Sequence, residues 1–224
     1  MRAKYRPTLL QVILFCFVFS GKVFAGTSAS GRHMYLLKAA IGQVVGTYFF
    51  AVNNEGTTPE RLKFQLMLPK EMIDFAPAEG IDPKNISLGP EGGVLLDQEF
   101  KPGFNLVGVY FIVPSPGSDG HFTLNFPNDV QELRIMSQSD GLGISSDGFK
   151  PFDASSDDPS MKSGIASTGL IKSGSQITVN FSGVPEGRSW FWITGCVTAG
   201  FLIGIAVLMF YRTKESVDGK EVMG

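Results

Sequence analysis

The chain has 224 residues, a formal net charge of −2 and 43% hydrophobic residues. Residues 26–189 hold 12 basic and 18 acidic side chains, near −6, with no basic stripe; that balance argues against nucleic acid and against anionic lipid surfaces as partners. The two cysteines, Cys16 and Cys196, both fall in apolar terminal runs, so the region between them has no disulfide framework, thiol nucleophile, thiolate metal site or CxxCH haem attachment.

The first predicted element is a signal peptide over residues 1–25. Arg2, Lys4 and Arg6 form a basic start, and Leu9 to Phe19 is an apolar stretch of 11 residues. Val23 and Ala25 then occupy the −3 and −1 positions of a cleavage site, which puts the mature start at Gly26. An uncleaved anchor is the alternative, although 11 residues is short for a span. Lipidation at Cys16 is disfavoured, because Phe15 stands where a small residue is needed.

Residues 26–34 read as a flexible mature N-terminus, and residues 35–183 as a β-sandwich ectodomain. Turn residues recur every 8 to 15 positions, with short apolar or alternating runs between them. Gly42 to Val52 is enriched in aromatic and β-branched residues. Leu62, Phe64, Leu66 and Leu68 alternate with Lys63 and Gln65, Val94 to Phe100 follows, and Leu106 to Val113 is apolar on both faces. Phe122, Leu124 and Phe126 alternate, Leu133 and Ile135 flank Arg134, and Ile177, Val179 and Phe181 alternate again. Tyr35–Ala40 and Pro69–Ile73 are candidates for a helical turn. The spacing predicts seven to nine strands in an all-β, immunoglobulin-like β-sandwich, with a jelly roll as the alternative. The expected core is Phe64, Leu66, Leu106, Tyr110, Phe122, Leu124, Ile135, Val179 and Phe181.

The stretch 141–175 is rich in Gly, Ser and Asp and reads as an irregular excursion anchored by Phe149 and Phe152. Two short strands are expected in it, near Leu142–Ser145 and Ile165–Ile171. Residues 184–189 form a tether.

Trp190 to Tyr211 is a run of 22 residues without a charge. At about 1.5 Å per residue a helix of that length reaches about 33 Å, enough to cross a hydrocarbon core. Trp190, Trp192 and Tyr211 suit the headgroup layer, and Arg212 and Lys214 on a 13-residue tail, 212–224, agree with a cytoplasmic end. Gly200 and Gly204 make a GxxxG motif in this transmembrane helix, a face for helix packing and a possible homodimer.

Chemical constellations are sparse. His33 falls in the flexible start and His121 opens a strand; both read as surface histidines, and no GxSxG elbow accompanies them. Asp153, Asp157 and Asp158, with Asp147 nearby, form an acidic cluster. It is either a solvated loop or a set of hard oxygen ligands for Ca²⁺, though its spacing is not that of an EF-hand. No catalytic, cofactor-binding or metal-ligating residue is assigned, and no cofactor is expected. Asn85-Ile86-Ser87 and Asn180-Phe181-Ser182 match the glycosylation sequon.

Leu68-Pro69, Phe75-Ala76-Pro77 with Gly80, and Phe100-Lys101-Pro102-Gly103 before an apolar strand form a turn pattern. It resembles that of uncharacterised exported bacterial envelope proteins with one immunoglobulin-like domain and a C-terminal span. The resemblance covers most of 41–211 and transfers no functional residue. The resulting expectation is a membrane-anchored, non-enzymatic interaction or structural module at the outer face of a bacterial inner membrane, with an envelope or membrane protein as partner. The alternative is an accessory subunit of a membrane complex, such as cytochrome maturation or transport machinery.

Overall fold

The computed structural model describes residues 28–186 except 79, 90–92 and 157. The signal peptide, the transmembrane run with Gly200 and Gly204, and the tail lie outside the described residues. The chain divides into two units at 186/187, and every described residue belongs to the first.

Thirteen strands and two short 3-10 turns occur among the described residues, and no helix there is long and apolar enough to cross a membrane. The strands are β1 (Ser28–Ala40), β2 (Gln43–Asn54), β3 (Glu60–Leu66), β4 (Asp74–Pro77), β5 (Ile86–Leu88), β6 (Val94–Phe100) and β7 (Gly103–Pro114). Then come β8 (Gly120–Asn125), β9 (Glu132–Ser137), β10 (Gly143–Ser145), β11 (Phe149–Phe152), β12 (Ser163–Ser167) and β13 (Gln176–Ser182). They form a seven-stranded sheet, β11-β12-β9-β1-β2-β7-β4, and two three-stranded sheets, β10-β13-β8 and β3-β6-β5.

This is an all-β sandwich. One face of the large sheet presents Tyr35, Leu37, Tyr48, Phe50, Val109 and Phe111, which share one core with Leu66 and Leu96 of one small sheet and with Phe122, Leu124, Val179 and Phe181 of the other. Edge-to-face rings cross between layers, Phe50 on Phe64 and Phe111 on Phe122. Such contacts add to the area term, because the positive ring edge meets the negative ring face.

The period-2 alternation explains most of these positions. In β7, Val107, Val109, Phe111 and Val113 point inward and are fully buried, so Leu106 and Tyr110 lie on the opposite face. Leu106 is half-buried and Tyr110 is 47% exposed, which corrects their expected place in the main core. The run is apolar at both parities, so its sequence carries no mark of which face is inner. Phe64 packs on the core partly buried, and the other six expected core residues are buried.

The start of β1 is a second correction. Residues 28–34 are not a flexible lead but strand, and Tyr35–Ala40 continues it rather than forming a helical turn. Ser28 pairs with Asn53 in β2, and Arg32, His33 and Met34 run parallel to Glu132, Leu133 and Arg134 in β9. Backbone pairing on both sides holds a segment whose composition announces little. Pro69–Met72 closes a single turn through the Met72 amide and the Pro69 carbonyl at 3.2 Å.

Three glycines stand directly opposite phenylalanines: Gly46 opposite Phe111, Gly120 opposite Phe181, and Gly164 opposite Phe152. In each pair the ring lies where a β-carbon would be, as close as 2.0 Å at Gly46 and 2.5 Å and 2.6 Å at the others. An aromatic ring thus fills the gap that glycine leaves in a strand.

The described residues of 141–175 include three strands. They contribute β10 to a small sheet and β11 and β12 to the edge of the large one; β11, around the anchors Phe149 and Phe152, goes beyond the two strands expected there. Between β11 and β12, Ala154 and Met161 join a second core on the outer face of the large sheet, with Met34, Leu36, Phe49 and Met136. The flexible thioethers suit this irregular cover. Both faces of β1 are therefore buried over residues 33–37.

Candidate functional site

A cleft of about 270 Å³ opens where the end of β3 meets the loop after β8, over the starts of β1 and the middle of β2. Its floor is His33, Tyr48 and Phe50, one wall is Phe64 to Met67, and the other is Pro127 to Val130. The hairpin register builds the floor: Tyr35 stands opposite Tyr48 and His33 opposite Phe50. Their rings form a stack, with centroids 4.9 Å apart for Tyr35–Tyr48, 5.4 Å for Tyr48–Phe50 and 5.8 Å for His33–Tyr48.

His33 is 9% exposed, and its Nδ1 lies 2.8 Å from the Tyr48 hydroxyl, the two sharing one hydrogen. Burial lowers its pKa from 6.5 to about 3, because a charged imidazole would lose its hydration there. Burial likewise raises the Tyr35 phenol, and burial together with the neighbouring Tyr35 raises that of Tyr48. The Tyr35 hydroxyl donates to the Met67 carbonyl, joining the floor to the β3 wall. The floor is thus neutral at ordinary pH.

The other wall is tied down. Val130 and Ile171 exchange both backbone hydrogen bonds at 2.8 Å, the Ser173 amide donates to Asp129 at 2.7 Å, and the Ser173 hydroxyl donates to the Pro127 carbonyl at 2.7 Å. The arrangement is a neutral aromatic floor with a fixed rim that carries Gln65, Asn128 and Asp129. The rim side chains supply hydrogen-bonding groups over an aromatic floor whose rings are buried and stacked on one another.

The expected surface histidine at 33 is therefore a cleft residue, while His121 is exposed on β8 opposite Asn180. Two aspartates of the acidic cluster, Asp153 and Asp158, close turns. Asp153 accepts from the Ser155 hydroxyl at 2.6 Å and from its amide at 3.0 Å, and these bonds hold its carboxyl below the usual range. Asp158 is buried and accepts from the Ser160 amide and hydroxyl, both at 2.8 Å. Asp157 lies outside the described residues. No group of three or more potential metal ligands occurs among the described residues. The sequence did carry a trace of the cleft: His33 and Tyr35, then Tyr48 and Phe50, at spacing two on either side of a Gly42 turn. That spacing puts ring on ring across a hairpin.

No family model matches the chain, and no curated protein matches it. Similar solved structures include an M1 zinc metallopeptidase from Deinococcus radiodurans, at 10% identity over 69% of this chain and 42% of that one, with a TM-score of 0.34. Another is a two-domain M1 zinc metallopeptidase mutant bound to L-tryptophan, at 9% identity over 73% and 44%, with a TM-score of 0.36. The chain spans less than half the length of either structure. Likeness at this level carries no argument about its chemistry.

Proposed function

We propose that this protein is a single-pass, membrane-anchored, non-enzymatic interaction module at the outer face of a bacterial inner membrane, and that the His33 cleft receives its partner. The observation that carries the reading is the cleft itself: about 270 Å³, open beside an exposed rim of Gln65, Asn128 and Asp129, over a floor in which His33 is stacked on Tyr48 and held at 2.8 Å by its hydroxyl. A polar rim over a fixed floor suits recognition of a partner's surface. The immunoglobulin-like reading rests on the core that the seven-stranded sheet shares with the two three-stranded sheets. The anchor rests on the uncharged run at 190–211 and the basic residues after it.

The test uses the full chain, extracted in mild detergent and recovered with whatever it holds. Asn128, exposed on the rim, is changed to Trp to fill the mouth of the cleft. Loss of the partner from N128W, with membrane insertion unchanged, supports the cleft as the recognition site. A partner retained by N128W but lost when the 190–211 run is exchanged for an unrelated span favours the accessory-subunit reading. Peptide hydrolysis by the purified chain that disappears on changing His33 overturns the non-enzymatic reading.

A further inference from the structure

We propose that the partner of the His33 cleft binds as an extended peptide strand added to the open edge of β3, with one uncharged side chain seated in the cleft; this rests on the reading above that the cleft receives a partner. Among the described residues the three sheets end in six edge strands, and five of them are blunted. β5 and β10 are three residues long, and β4 and β11 are four residues long and carry Pro77 and Pro151. β8 is covered: the Lys70 amide donates to the Thr123 carbonyl at 2.9 Å, and the Thr123 amide donates to the Glu71 carboxylate at 2.7 Å. Short length, proline and cover keep a row of unpaired backbone groups from recruiting another chain. β3 has none of these devices. It runs for seven residues in unbroken register with β6 and contains no proline. Its basic side chains Arg61 and Lys63 stand opposite Glu99 and Asp97, which offsets the repulsion that lysines give an edge.

The phase of the pairing fixes which backbone groups point outward. The Gly89 amide donates to the Gly93 carbonyl at 2.6 Å, in register with the β5–β6 pairs Leu88–Val94 and Ile86–Leu96. Gly93 and Leu95 therefore turn their backbone groups toward β5, and Val94, Leu96 and Gln98 turn theirs toward Leu66, Phe64 and Leu62 of β3. The N–H and C=O groups of Arg61, Lys63 and Gln65 point away from β6 and meet no partner among the described residues. The end of this same edge, Phe64 to Met67, is one wall of the cleft. A strand paired there sets alternate side chains beside Phe64 and Leu66, over Tyr48 and Phe50; its main-chain bonds supply affinity and the cleft supplies specificity. At about 270 Å³ the cleft is smaller than the roughly 300–1,000 Å³ of small-molecule sites. His33 and Tyr48 are hydrogen-bonded to each other, so a charged side chain would find no counter-charge on the floor.

The experiment selects short peptides from a random phage-displayed library against the full chain in detergent. Their affinities are then measured by fluorescence anisotropy for wild type, Lys63→Pro, Lys63→Ala and Asn128→Trp. Lys63→Pro removes one outward N–H and no bond to β6, the place where an edge strand tolerates proline. The expected result is unchanged affinity in K63A and affinity weaker by up to about tenfold in K63P, the worth of one net hydrogen bond. Bound peptide should also slow hydrogen exchange at the Arg61, Lys63 and Gln65 amides of wild type. If K63P loses its β-sheet circular dichroism, that exchange measurement decides alone. Peptides held equally by K63P and without effect on those amides, yet lost from N128W, overturn strand addition and leave the cleft as the recognition site. Equal loss in K63A and K63P makes the lysine side chain the contact and overturns backbone pairing. A library that yields no binder overturns the peptide strand as occupant. Binding indifferent to both K63P and N128W overturns the cleft reading, and the strand with it.

Discussion

His33 takes its properties from where its ring is held. In an unfolded chain its pKa is near the ordinary 6.5, and in the folded domain it is about 3. Between those values the unfolded state binds a proton that the folded state refuses, so stability drops as pH falls from 6.5 toward 3. Above 6.5 the contribution is fully present. The slope of this component is at most about 1.4 kcal/mol per pH unit. Urea unfolding at a series of pH values should show it, superimposed on the carboxylate titrations. His33→Phe should remove it while lowering the neutral-pH plateau by about 1–3 kcal/mol, because the buried Tyr48 hydroxyl loses its partner. Gly46 is decided by contact as well. A β-carbon there would sit 2.0 Å from the Phe111 ring, so Gly46→Ala should cost about 1–3 kcal/mol through overpacking. Phe111→Leu in the same chain should recover part of that loss in thermal unfolding, a non-additivity expected of residues in contact.

At the scale of elements, the segment between β11 and β12 is a lid on the second core. It holds on through Ala154 and Met161, and its turns are closed by Asp153 and Asp158. Met161→Asp would place a carboxylate against Met34, Phe49 and Met136 without touching the main core. Protease cleavage within 153–162 should rise sharply, while the β-sheet signal in far-ultraviolet circular dichroism stays unchanged. Loss of both together would show that the two cores form one cooperative unit. The alternating strands β3, β8 and β13 were legible from sequence because one face of each meets water. β7 was legible as a strand, but which of its faces is inner was not, because both parities are apolar, Leu106 and Tyr110 as well as Val107 and Val109; β1 was missed because its strand is set by pairing with β2 and β9.

For the whole molecule, strand β1 begins at Ser28, two residues past the predicted mature start. Cleavage after Ala25 would thus leave the large sheet intact. Mass analysis of membrane-extracted protein should find Gly26 at the N-terminus, and recovery of chains that retain Met1 would instead imply two anchors. The described domain has no cysteine, so it should fold without oxidant and unfold identically with or without reductant. Its stability must come from the apolar core between the layers. At about 25 cal/mol per Å² of apolar surface removed from water, a core of this kind offsets much of the chain entropy without a covalent staple.

The sequence by itself determined the β class, the turns, the absence of thiols between the termini and the two apolar terminal runs. Each of these is a local property: a period of two, a turn residue, a composition. Tertiary structure decided which face of β7 is inner, that residues 28–34 are strand, that His33 is buried and Tyr110 is not, and that 153–161 covers a second core. Those outcomes depend on partners far along the chain, as when Arg32 pairs beside Glu132 and Ser163 beside Ser137. Turn and period signals act over a few residues, whereas burial is set by whichever distant segment arrives to exclude water.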